Sequence, residues 1–147
     1  MSEDNFIKAT RSQGEDISAE TEGLQALSQQ LMAHNIQELS IPAIVSQTNT
    51  ELHLEKIEGT GPTEEQWRQL GIGLAKLHCI KFQHYGWAKD NFIGRSPQLN
   101  GFATGWGEFF INRRLQTQIS FIKNQAIAQR FQQQLDQVKT KLAAFLK

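Results

Sequence analysis

The order of predicted elements makes this an α+β chain. Apolar residues recur at spacings of three and four in four separate stretches, as helices require, while short strand-like runs sit between turn-forming residues in the front part. No internal repeat and no low-complexity block beyond local glutamine enrichment interrupts that order.

Asn5 to Thr10, centred on Phe6 and Ile7 with Lys8 beside them, reads as a brief strand that Arg11 to Gly14 breaks. Ile17, Glu20, Leu24, Leu27 and Leu31 then line one stripe of a helix over roughly Ser18 to Ala33, with Asp16 or Ser18 able to cap its start. His34 to Ser40 is polar and loop-like. Pro42 to Ser46 and Glu51 to Ile57 form a hairpin signal across Gln47-Thr48-Asn49-Thr50. After the break at Gly59, Gly61 and Pro62, Thr63 and Gln66 have capping-box spacing, so a helix begins near Thr63. Trp67, Leu70, Leu74 and Leu77 carry it to about His78, with Gly71 and Gly73 in its interior. Each glycine costs such a helix up to about 1 kcal/mol relative to alanine, and close helix packing would explain them. From Lys81 to Thr104 all period is lost and glycine, proline and asparagine gather, an irregular stretch of the kind usually kept for function. Trp106, Phe109, Phe110, Leu115, Ile119 and Ile122 predict another helix, and Ile127, Phe131, Leu135, Val138, Leu142 and Phe145 a last one.

The chain has 147 residues, the size of one ordinary domain or part of one. Lys plus Arg and Asp plus Glu both number 15, so no basic excess exists to hold a nucleic-acid backbone. Cys79 is the single cysteine, which excludes an internal disulfide and a cysteine-rich zinc site and fits a reducing compartment. With no signal-like N-terminus and no apolar run of membrane-spanning length, the expectation is a cytoplasmic protein that engages no membrane.

Lys8 on a strand followed by Glu20 on a helix is a possible ion pair, because a lysine held by one carboxylate can be fixed to grip an anion. Lysines and glutamates more often only solvate surfaces, so the pairing needs its context. A lysine strand, a glutamate helix, a hairpin and then Leu54-Glu55 before a glycine-containing linker is the element order of a kinase N-terminal lobe.

At this point the chain resembles the fructosamine kinase (ketosamine kinase) family. Phe6-Ile7-Lys8 is similar to that family's strand bearing the phosphate-binding lysine, and Glu20-Thr21-Glu22-Gly23-Leu24 to its glutamate helix. Leu52-His53-Leu54-Glu55 resembles the strand that enters the hinge, and Leu70 to His78 the helix that follows. Most specific is the run Tyr85 to Asn100, which resembles the family's F-G-W-x-x-D-N-x-I-G-x-x-P-Q-x-N segment. Trp106, Glu108-Phe109-Phe110, Arg114-Leu115 and Gln118 extend the likeness, which thus covers residues 5 to 122.

The resemblance implies a partial protein-kinase-like fold: an incomplete N-lobe sheet plus helix over residues 1–58, then the hinge linker, the family-specific segment and the first C-lobe helices over 59–147. It implies ATP and magnesium as cofactors of the full fold and ketoamines, including glycated lysines, as substrates, so that phosphorylation leads to deglycation. Lys8 would pair the nucleotide phosphates, Glu20 would hold Lys8, and backbone groups of Glu55 and Ile57 would face the adenine edge. Asp90, Asn91, Gln98 and Asn100 are substrate candidates, and Trp87 and Trp106 could stack on a sugar; equally, the polar four could fix the loop by hydrogen bonds. The run Trp106, Phe109, Phe110 is most simply core, and Arg113 and Arg114 a solvated face or a local salt bridge. His78 beside Cys79 reads as a helix-terminal histidine rather than a metal or nucleophile pair.

Two departures from the family pattern shape the functional expectation. Only seven residues precede Lys8 and none is glycine, so the family's glycine-rich loop is absent, and nucleotide binding is expected of the full family fold more than of this chain. Neither the catalytic loop H-G-D-L-W-x-x-N nor the metal-binding D-P-A segment occurs, so the catalytic and metal aspartates are missing. The chain therefore reads as the front of such a kinase, inactive alone. A non-catalytic binding module, self-association or half of a split enzyme completed by a second chain are the alternatives.

Overall fold

The computed structural model describes residues 5–9, 17–59, 61–94 and 96–146. The predicted break at Arg11 to Gly14 and the Asp16 cap lie outside them. The chain forms two compact units, Met1–Lys81 and Phe82–Lys147.

In the first unit, β1 (Phe6–Ala9), β2 (Ile44–Gln47) and β3 (Glu51–Leu54) make an antiparallel sheet in the order β1-β3-β2. Alternation along β3 buries Leu52 and Leu54 and leaves Glu51 and His53 half-exposed. The buried pair packs against Ile17 and Leu24 of α1 (Ile17–Ala33) and against Ile44 of β2. Leu52 is the most enclosed of these, with none of its surface exposed. The predicted hairpin is present but shorter than its apolar runs. A bulge between Ile44 and Ser46 interrupts the register, and Thr48 closes the turn by accepting the Glu51 N–H at 2.9 Å on its hydroxyl.

Helix α1 starts at Ile17, so Ser18 lies inside its first turn and is not its cap. It ends in a Schellman arrangement: Asn35 takes the left-handed conformation (φ 51°), Ile36 N–H donates to Leu31 C=O at 2.9 Å, and Asn35 N–H to Met32 C=O at 3.3 Å. Ile36 and Leu31, the apolar pair such a cap brings together, are both buried. Helix α2 (Glu64–His78) begins at the expected capping box, Thr63 Oγ1 accepting Gln66 N–H and Gln66 Oε1 accepting Thr63 N–H.

The two glycines of α2 differ. A Cβ on Gly73 would come within 2.5 Å of Leu39 Cγ, whereas at Gly71 it would meet open space. Close packing thus explains Gly73 alone.

The second unit corrects the expectation of an irregular stretch after Lys81. Here β4 (Tyr85–Trp87) pairs with β7 (Gly101–Ala103), enclosing a smaller ladder of β5 (Asn91–Ile93) with β6 (Ser96–Gln98). Strands of three residues are too short to display a period, which is why the pattern was illegible. Gly86, at φ 109°, could carry no side chain: a Cβ would fall 2.0 Å from Gly101 O and 2.8 Å from the Phe109 ring. The helix expected over Trp106 to Ile122 runs as α3 (Trp106–Phe109), a π-helical stretch Phe110–Leu115, and α4 (Gln116–Ser120). The closing helix α5 (Gln125–Phe145) is capped by Asn124, whose Oδ1 accepts Ile127 N–H at 3.2 Å.

Urea unfolding of two glycine variants should separate the packing role from the helix penalty. Gly71→Ala should stabilise the chain by up to about 1 kcal/mol, whereas Gly73→Ala should destabilise it by roughly 1–3 kcal/mol through the clash with Leu39. A second prediction concerns acid. Hydrogen bonding from Arg68 holds the Glu65 carboxyl down at about 2, against an ordinary 4.5. A depressed folded-state value stabilises above the ordinary pKa and is lost as pH falls through the folded one. Both side chains are well exposed, so the effect is small and salt-screened. Melting temperatures at low salt should fall less steeply for Glu65→Gln than for the parent between pH 4.5 and 2.

Candidate functional site

Antiparallel register sets Lys8 opposite Leu52 and Phe6 opposite Leu54. Directly paired residues leave a sheet on the same face, so Lys8 rises on the face whose Leu52 and Leu54 are covered by α1. Glu20 stands in the first turn of α1, where the backbone dipole favours a carboxylate, and its Oε2 takes a hydrogen bond from Lys8 Nζ. The expected pair is thus formed between strand and helix. Its side chains are 49% and 33% exposed, so the pair contributes only about 0–1 kcal/mol to stability. What it does is hold an ammonium group at a fixed place with a solvent-facing side, which suits contact with an anion.

Glu55 and Ile57 lie just past β3 in a stretch without regular structure. Glu55 N–H donates to Ala43 C=O at 2.8 Å and its carboxylate accepts Ala43 N–H at 3.1 Å. A ligand edge would therefore meet Glu55 through its carbonyl. Ile57 is 71% exposed.

The other candidates lie in the second unit, and one of them organises the rest. Asn100 is buried, at 3% exposure. Its Nδ2 donates to Lys89 C=O and to Asn91 Oδ1, each at 2.9 Å, and its backbone N–H donates to Asp90 Oδ1 at 2.7 Å. Its Oδ1 accepts from Arg114 Nη2 at 2.8 Å. Asn100 thus spends its amide N–H groups on the loop and its amide oxygen on Arg114, and Asp90 and Asn91 give it their side-chain oxygens. Half-buried Gln98 sits opposite Asn91 in the β5–β6 ladder.

Arg114 is the residue whose role sequence reasoning missed. It is no solvated arginine: it also donates to Leu99 C=O at 2.6 Å, and its guanidinium lies 4.6 Å from the Phe109 ring centroid. Burial pulls the guanidinium below its ordinary value, though an arginine stays charged. Fourteen residues separate it from Asn100, so no local pattern could announce the contact.

Trp106 keeps 36% of its surface exposed while meeting Tyr85, Phe109 and Phe110 at centroid distances of 5.7, 5.8 and 5.5 Å. Phe109 is the buried member of the expected core run. His78 ends α2 and exposed Cys79 caps it, donating its N–H to Ala75 C=O at 3.1 Å. Among the described residues no three His, Cys, Asp or Glu side chains come together as a metal would need. The described residues thus offer no all-protein cage for a metal, and a magnesium ion here would depend on the nucleotide phosphates for most of its ligands.

Known proteins with similar sequences and folds point one way. A probable ketoamine kinase of Synechocystis is 28% identical over 127 residues, 82% of this chain and 41% of its own length. One of Enterococcus faecium is 38% identical over 64 residues, 44% of this chain and 23% of its own. The chain thus spans less than half the length of these relatives. A crystal structure from Haemophilus somnus 129PT, assigned as a fructosamine-3-kinase, superposes with a TM-score of 0.56 at 20% identity, over 89% of this chain and 55% of that one. At that identity the likeness speaks for the fold, which here is part of a protein-kinase-like fold. The family model for fructosamine kinase matches residues 1–147, and the chain belongs to the fructosamine kinase family.

Proposed function

We propose that these residues form the nucleotide-gripping front of an ATP-dependent kinase that phosphorylates ketoamines, the first step in removing sugar from glycated amines. The observation that carries this reading is the Lys8–Glu20 pair, joined across strand and helix in a member of a kinase family. ATP supplies the phosphoryl group when bound. The Lys8 ammonium would pair its phosphates, Glu20 would keep that ammonium from swinging away, and the Glu55 carbonyl with the Ile57 backbone would meet the adenine edge. Phosphoryl transfer is mainly positioning and charge stabilisation, so a lysine fixed in this way is a working part of such a site. A reducing cytoplasm fits the lone, exposed Cys79.

The substrate side of the reading is narrower than the set of candidate residues. Asn100, 3% exposed, has its amide bonded to the loop and to Arg114, so a ligand would meet the surface that Asn100 shapes and not Asn100 itself. Asp90, Gln98 and Trp106 keep exposure and remain the sugar-facing candidates.

No H-G-D-L-W or D-P-A sequence occurs in the chain, and among the described residues no three His, Cys, Asp or Glu side chains gather. Phosphotransfer on this reading needs residues beyond these 147, whether in a longer polypeptide or in a second chain. The second possibility draws support from an open apolar groove of about 610 Å³ between α4 and α5, lined by Leu115, Ile119, Ile122, Phe131, Leu135 and Val138. A polypeptide bearing the catalytic-loop half of the family fold is the occupant this version requires.

Two measurements test the proposal. The purified 147-residue chain should give no ATP-dependent phosphorylation of a fructosyl-lysine substrate, and mixing with a polypeptide that carries the H-G-D-L-W half should produce it. Turnover by the chain alone would refute the dependence on outside residues. In calorimetric titration with ATP, Lys8→Met should weaken binding at least about tenfold, the loss of one charge-assisted contact of roughly 1.5–3 kcal/mol, while leaving the melting temperature nearly unchanged because the pair is exposed.

A further inference from the structure

Where α1 stands decides whether Glu20 meets Lys8. The N-terminal part of the helix is seated on the sheet through Ile17 and Leu24. Its other end closes with the Schellman bonds at Asn35 and Ile36, which end the helix and set the direction in which residues 36–39 leave it as an arm.

That arm is tied to α2 at two adjoining points. Leu39 lies over Gly73 with no room for a methyl group between them. Glu38, its side chain 18% exposed, accepts a hydrogen bond from Lys76 Nζ on Oε1. Its second oxygen, Oε2, is buried and is the one such side-chain atom without a partner among the described residues. An unpartnered acceptor at one end offsets what a half-exposed ion pair returns at the other. The contribution of this contact is therefore geometric: it settles where the arm rests on α2.

We propose that the Glu38–Lys76 pair and the seat of Leu39 on Gly73 form a latch that sets the position of α1, making Glu38, Gly73 and Lys76 positioning residues for nucleotide binding at Lys8 and Glu20. The binding half of this statement rests on the nucleotide reading above; the mechanical half does not.

The test combines hydrogen exchange followed by mass spectrometry with ATP titration of the full 147-residue chain, at a temperature where circular dichroism shows every variant folded. Lys76→Met should speed exchange through α1 as well as through residues 34–39, leave residues 51–54 unchanged, and weaken ATP binding about fivefold or more. Lys76→Arg, which keeps a cation for Glu38, should restore both. Faster exchange confined to residues 34–39, or spread evenly over the chain, would overturn the latch. So would unchanged ATP affinity in Lys76→Met under conditions where Lys8→Met loses it. If the parent chain does not bind ATP, or Lys8→Met binds it as tightly, the nucleotide reading fails and the exchange data alone decide the latch.

Discussion

The burial of Leu52 and Leu54 beneath α1 is the constraint on which the first unit depends. Two leucines on alternate positions of a central strand must be covered, and Ile17 and Leu24 on one stripe of a helix cover them. That contact fixes the helix against the sheet, and because Lys8 is registered with Leu52, the strand's lysine emerges beneath the first turn of the same helix. The meeting of Lys8 with Glu20 is thus a by-product of apolar packing. The ion pair is too exposed to assemble the unit; the core assembles the ion pair.

The second unit solves a different problem. Its buried apolar residues Phe109, Ile111 and Leu135 lie on the helical part, and its short ladders bury little, so the ladders take their order from polar contacts and backbone shape. Gly86, at positive φ, lets β4 approach Gly101 and Phe109 more closely than any side chain would permit, while Gly101 is needed for its own positive φ and not for space. Asn100 ties Lys89, Asp90 and Asn91 together, and Arg114 secures it to the helix. A buried amide with both its groups satisfied stiffens a loop because every alternative arrangement leaves some of those groups unpaired.

Residues grouped by sequence as one polar cluster therefore divide into supports and surface. Asn91 and Asn100 shape the segment, while Asp90, which lends one carboxylate oxygen to Asn100, stays exposed, and Gln98 and Trp106 are partly exposed. A similar division holds in α2, where two glycines two positions apart differ because Leu39 occupies the space over one and nothing lies within 4 Å over the other.

The sequence by itself determined the α+β class, all the principal helices and strands of the first unit, the capping box at Thr63, the Lys8–Glu20 pair and the family, since each is written in short-range spacing or in consecutive motif residues. Tertiary structure alone decided the ladders of the second unit, the π-helical stretch at Phe110–Leu115, the burial of Asn100 and the partners of Arg114 and Lys76. Those features join residues 14 and 38 positions apart, or depend on left-handed glycines whose neighbours come from elsewhere in the chain. A linear pattern carries the period of a helix or strand, but not the identity of the atom that arrives from a distant turn to complete a hydrogen bond.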